Sequence, residues 1–151
     1  MSVFRNILVT HDGSDDSRAA LELAVELARD QNARLTLLTV VPDTPGSITS
    51  VAAGPYDLES IYSEILRTAA ATIPDDVPVT AVLQRGSPAQ RIAAVAADGH
   101  DLVVMGTHGR GRLGEALAGS VSRAVVHSLR GAVLLTRAPD AETVAPDEQP
   151  D

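Results

Sequence analysis

The stretch DLVVMGTHGRGRLGEALAGSVSRAVVHSLRGAVLLT, residues 101–136, decides the fold. Its two ends, Asp101–Met105 and Ala132–Thr136, are short apolar runs without polar alternation, as expected of strands covered on both faces. Between them Val121, Ala124, Val125, Ser128 and Leu129 recur at helical spacing, and Gly131 closes that helix. Four glycines fall within residues 106–114 and a fifth, Gly119, directly precedes Ser120. The pattern is strand, glycine-rich turn, helix, strand.

The same alternation runs backwards through the chain. Asn6–His11, Leu35–Val41 and Val77–Leu83 read as three further strands, and Pro78 points to a strand start or an edge for the third. A first helix is expected from Asp15 to Gln31, with Leu21, Ala24, Val25 and Ala28 on one face. A second carries Leu58, Ile61, Tyr62, Ile65, Leu66, Ala69 and Ile73 at spacings of three or four. A third opens on Ser87, Pro88 and Gln90, a capping box with proline at the first helical position, and ends at Gly99. Strands alternating with helices over short connections imply a doubly wound α/β domain: a five-stranded parallel sheet with helices on both faces. One domain is expected over residues 1–137, and an acidic, disordered tail over 138–151. The connection Pro42–Tyr56 is longer than a compact domain normally spends there, and reads as a lid, a partner-binding loop or a plain insertion.

Composition removes several classes of function. The chain has 151 residues and no cysteine, which excludes disulfides and thiol chemistry. The apolar run at the start ends at His11 and Asp12, too short for a signal peptide or a membrane span, so a cytoplasmic protein away from membranes is expected. A net charge of −8, with every basic residue an arginine, offers no basic face for nucleic acid. One Phe, two Tyr and no Trp leave almost nothing on which bases could stack.

In an open parallel sheet, ligands bind beyond the carboxyl ends of the strands where the strand order reverses. The first strand ends in Thr10-His11-Asp12-Gly13-Ser14, the second in Val40-Val41-Pro42, and the fourth in Met105-Gly106-Thr107-His108-Gly109-Arg110. The first helix begins Ser14-Asp15-Asp16, so its positive end is already neutralised. The last begins Gly119-Ser120-Val121-Ser122-Arg123, with no acid in its first turn and small residues that leave the amides approachable. That is an anion site, unless Ser120 caps its own helix. Gly106 directly after a strand permits either a positive φ or a close approach of another backbone.

Other motifs fail on inspection. Gly109-x-Gly111-x-x-Gly114 spells a dinucleotide fingerprint, but a helix starting there would hold Gly119 in its interior, and no ribose-binding acid follows on a later strand. A P-loop lacks its lysine. His11 and Asp12 are neighbours at a strand end and point to opposite faces, so they do not share a metal. His100, in a turn, and His127, in a helix, read as surface residues. Asp12 is the one carboxylate at a strand end facing the expected crevice. It could take ribose hydroxyls or Mg²⁺, or cap the turn before the first helix.

Taken together, Gly106, Gly109, Gly119 and Ser120, in the spacing Gly, two residues, Gly, nine residues, Gly-Ser, resemble the universal stress protein family in its ATP-binding branch. Asp12-Gly13-Ser14 and Gly119-Ser120-Val121-Ser122 are similar to that family as well, and the likeness spans about residues 3 to 137. It implies an adenine-nucleotide alpha-hydrolase-like fold with strand order 3-2-1-4-5. It further implies an adenine held near Thr10, His11 and the backbone of Val40, with Asp12 on the ribose or a Mg²⁺. Met105, Gly106, His108, Gly109 and Arg110 would line the phosphate path to Gly119, Ser120, Val121 and Ser122. Relatives commonly pair their fifth strands, so a homodimer through Ala132–Thr136 is implied. Thr10 stands where proline or alanine is common, and His11 where a small or apolar residue is usual.

The expectation is a nucleotide-dependent stress-response or regulatory homodimer that binds ATP, with AMP or ADP as alternatives. Hydrolysis is at most slow, because neither a general base nor a lysine clamp is recognisable. A nucleotide-free dimeric interaction module of the same fold is the alternative. An adenylyl-transferring enzyme is a third and weaker one.

Overall fold

The computed structural model describes residues 2–43, 57–107 and 120–139, with Ser120 described by its backbone alone. Five strands, β1 (Asn6–Thr10), β2 (Arg34–Pro42), β3 (Val79–Gly86), β4 (Leu102–Gly106) and β5 (Ala132–Thr136), are joined by four helices. These are α1 (Asp15–Gln31), α2 (Leu58–Ala71), α3 (Pro88–Ala97) and α4 (Ser120–Ser128). All strand pairs are parallel, and the order is β3-β2-β1-β4-β5. The connection Pro42–Tyr56 and the tail fall mostly outside the described residues.

The apolar runs of β1, β2 and β4 become buried on both faces because each of these strands alternates between two cores, whereas β5, read as covered on both faces, stays largely exposed because it is the sheet edge. Ile7 and Val9 of β1, Leu35 and Leu37 of β2, and Leu102 and Val104 of β4 pack under α1 and α2 with Leu21, Ala24, Ala28 and Ala69. Leu8, Leu38, Val103 and Met105 face the other way, onto Ile92 and Ala96 of α3 and Val125 of α4. Ile7, Leu8 and Val9 are wholly buried, and each such side chain contributes about 1.5–3 kcal/mol. β1 is thus the centre of the molecule.

The helix ends follow local chemistry with one exception. Ser14 caps α1 by accepting the Ser17 N–H, and Asn32 closes it in the left-handed region at φ 57. Asp57 caps α2 by accepting the Ser60 N–H at 2.8 Å. Ser87 makes no side-chain cap bond to α3, so the capping box read from Ser87 and Gln90 does not form; Pro88 does occupy the first turn.

Two further readings change. β3 starts at Val79 instead of Val77. Val77 is apolar because it is buried in the core under α1 and α2, and the ladder begins where the Pro78 carbonyl accepts the Leu35 N–H at 2.9 Å. His100 is half-buried and engaged on both ring nitrogens, not a plain surface residue. Its Nδ1 donates to the Val95 carbonyl at 2.8 Å, which leaves Nε2 to pair with Thr36 Oγ1 at 2.9 Å and tie the end of α3 to β2. His127 is exposed in the last turn of α4.

Candidate functional site

The chain leaves β1 toward β2 on one side and β4 toward β5 on the other, while β1 and β4 pair directly through Ile7–Leu102, Leu8–Val103 and Val9–Val104. Their carboxyl ends flank the crevice at which the strand order reverses. The structure therefore brings the ends of β1 and β4, at Thr10 and Gly106, to the switch point, as the strand order implied by the resemblance requires.

Beyond β1 the chain turns sharply into α1. The Asp12 carboxylate accepts the Ser14 N–H at 3.0 Å, its own N–H reaches Ser17 Oγ at 3.3 Å, and Gly13 takes φ 89. Asp12 thus caps the turn, one of its two expected roles, and the same bond fixes its carboxylate at the strand end. Thr39, wholly buried on β2, spends its hydroxyl on the His11 carbonyl at 2.9 Å.

The His11 ring is 7% exposed, and burial depresses its pKa below 6.5 against the opposing pull of Asp12. Its Nδ1 accepts the Gly13 N–H at 3.2 Å, so in the neutral ring the proton sits on Nε2. The ring lines a cavity of about 650 Å³ between α1 and α2, floored by Leu21, Val25, Ile65 and Ala69. Val40, Met105 and Val121 belong to the opposite core, under α3 and α4. The two sides of the expected adenine end therefore divide: the His11 ring faces α1 and α2, and the Val40 side chain faces α3 and α4.

At the end of β4, Gly106 has a specific neighbour. A Cβ there would lie 2.8 Å from Asp16 Cβ and 2.9 Å from the Asp16 carbonyl carbon. Of the two readings for this glycine, close approach holds, and what approaches is the first turn of α1. Asp16 continues the contact. Its carboxylate accepts Thr107 Oγ1 at 3.1 Å and the Ala138 N–H at 2.7 Å, and its carbonyl accepts Thr136 Oγ1 at 3.2 Å. Thr107 N–H in turn donates to the Thr136 carbonyl at 2.9 Å. Sequence reasoning missed this cluster and read Asp16 only as an acid against a helix dipole. Partners 91 and 122 residues away leave no local signal.

α4 starts at Ser120 with no acid in its first turn. Ser122 is buried and Val121 half-buried against the core. His108, Gly109, Arg110 and Gly119 lie outside the described residues. No group of three His, Asp or Glu side chains able to hold a metal occurs among the described residues, and no helix among them is long and apolar enough to cross a membrane.

The parallel sheet of order β3-β2-β1-β4-β5 and its likeness to solved structures give the domain an adenine-nucleotide alpha-hydrolase-like fold. Residues 4–137 match the model of the universal stress protein family. A universal stress protein from Thermus aquaticus is 34% identical over 139 residues, covering 89% of this chain and all of the relative. The chain belongs to the universal stress protein family. In fold it resembles the universal stress protein UspA from Lactobacillus plantarum, with TM-score 0.69, 25% identity, and coverage of 91% and 100%. Two other similar structures hold adenine nucleotides. One is a universal stress protein in complex with cAMP, at TM-score 0.67 and 24% identity over 91% of this chain and all of that one. The other is an Arabidopsis thaliana family protein with AMP bound, at TM-score 0.67 and 16% identity over 95% and 97%.

Proposed function

We propose that this chain binds an adenine nucleotide, ATP foremost with AMP or ADP as alternative occupants, and acts as a cytoplasmic stress-response or regulatory homodimer. The observation that carries this reading is the reversal of strand order between β1 and β4, where a doubly wound sheet offers its ligand crevice, together with an α4 start that has no acid in its first turn. Adenine nucleotides bound to proteins of the same fold support it.

Thr10, His11 and the Val40 backbone form the adenine end, and Asp12 meets the ribose. Met105 and Gly106 begin the phosphate path. His108, Gly109, Arg110, Gly119, Ser120, Val121 and Ser122 enter through the resemblance to the family. A single carboxylate suits Mg²⁺ only where phosphates and water supply the other ligands, so Asp12 would hold the ion through the nucleotide. Hydrolysis is slow at most, for want of a general base.

The homodimer pairs β5 edges. β5 is an edge strand whose Leu134 and Leu135 are 36% and 44% exposed, and Val126 of α4 is 46% exposed. Unpaired edges with apolar side chains are ready templates for a second strand.

One observation favours the alternative of a nucleotide-free interaction module: Gly106 already has an architectural reason to be glycine. Equilibrium dialysis with ATP and Mg²⁺ separates the two. Binding by wild type and its loss in Gly119→Val, with the dimer retained, supports the nucleotide reading. No binding by wild type at millimolar nucleotide leaves the interaction module.

A further inference from the structure

We propose that Asp16 is a positioning residue that links the nucleotide crevice to the β5 edge. This inference rests on the nucleotide reading above and adds a residue and a coupling to it. The Asp16 carboxylate serves two distant donors, one on each oxygen. Thr107, the residue after β4, donates its hydroxyl at 3.1 Å, and Ala138, two residues past β5, donates its backbone N–H at 2.7 Å. The Asp16 carbonyl takes the Thr136 hydroxyl, and Thr107 N–H bonds the Thr136 carbonyl. Gly106 gives these groups room, since a Cβ there would meet Asp16.

The consequence is mechanical. A ligand seated in the crevice meets the end of β4 at Gly106, directly before Thr107. Any shift of Thr107 must move with Asp16 or break a hydrogen bond to a charged acceptor. Asp16 sits in the first turn of α1, packed against the end of β4, and also fixes where the chain leaves β5. Occupancy of the crevice and the setting of the β5 edge are therefore coupled, and linkage requires the effect to run both ways.

The chemistry suggests a discriminating pair of variants. Asp16→Ala removes both acceptors. In Asp16→Asn the amide oxygen can still accept the Ala138 N–H, and the amide NH₂ can donate to Thr107 Oγ1, which reverses the polarity of that bond but keeps the geometry. ATP affinity is measured by equilibrium dialysis, and backbone hydrogen exchange at Ala138 with and without ATP. In wild type, ATP should slow exchange at Ala138. Asp16→Ala should bind ATP about tenfold more weakly, as expected for about 1.4 kcal/mol, and Ala138 should no longer respond. Asp16→Asn should restore both. Thr107→Val, which spares the Ala138 bond, should lose the response even if Asp16→Ala does not fold. Wild type binding ATP with Ala138 unresponsive, or with Asp16→Ala unchanged, overturns the coupling alone. Wild type that binds no ATP overturns the nucleotide reading and the coupling with it.

Discussion

At His11, burial holds the imidazole below its ordinary pKa of 6.5 while Gly13 occupies Nδ1. Folding therefore excludes a proton that the unfolded chain takes up below pH 6.5. The contribution is complete above that pH and declines as pH falls from it toward the lower folded-state value. His11→Gln should lose less stability than wild type between about pH 7.5 and pH 5, read as the shift in urea midpoint. Equal losses in the two proteins would remove His11 as a source of acid sensitivity. The resemblance marked His11 as unusual at its position, but not which face of the sheet it would meet. That depends on how β1 ends, and the last paired residue of a strand is poorly specified by its letters. Gly106 shows the same limit, since one glycine reads alike whether a ligand or a helix approaches it.

Among the elements, helix starts divide by whether the serine side chain is used. The Ser14 hydroxyl accepts the Ser17 N–H, whereas the Ser87 hydroxyl makes no cap bond at the start of α3. Ser14→Ala should cost about 1 kcal/mol in urea unfolding, and Ser87→Ala no more than about 0.5 kcal/mol. A large loss at Ser87 would mean that its cap does form in solution. The strands and helices were legible because they rest on continuous apolar runs and helical spacing, which neighbouring residues carry. Ends held from afar were not. Asp101 accepts the Arg5 and Asn6 N–H groups at 3.0 and 3.2 Å, fixing the start of β1 from 95 residues away. Within its own segment Asp101 looks like the first residue of a strand. Of the candidate site, the pairing of β1 with β4 followed from the strand order that the resemblance implies, while Asp16, Thr107 and Thr136 could be found only once distant segments were brought together.

For the molecule as a whole, the homodimer proposed above depends on the β5 edge. Leu135→Glu places a charge on that edge and should shift the chain to monomer in sedimentation equilibrium, with its circular dichroism unchanged. A wild-type monomer at high micromolar concentration would remove the pairing. The strand order also has a consequence in time. β1 pairs with β2 across about 28 residues, Ile7 with Leu35, but with β4 only across 95, Ile7 with Leu102. While the chain is being synthesised, β1–β3 can assemble with α1 and α2 long before β4 exists. Until then the strand that ends up most deeply buried is an open border, with Leu8 and its backbone groups waiting for a partner. Closing that border is the slow, long-range step of folding. The period before β4 arrives is when this protein is most exposed to pairing with the wrong strand.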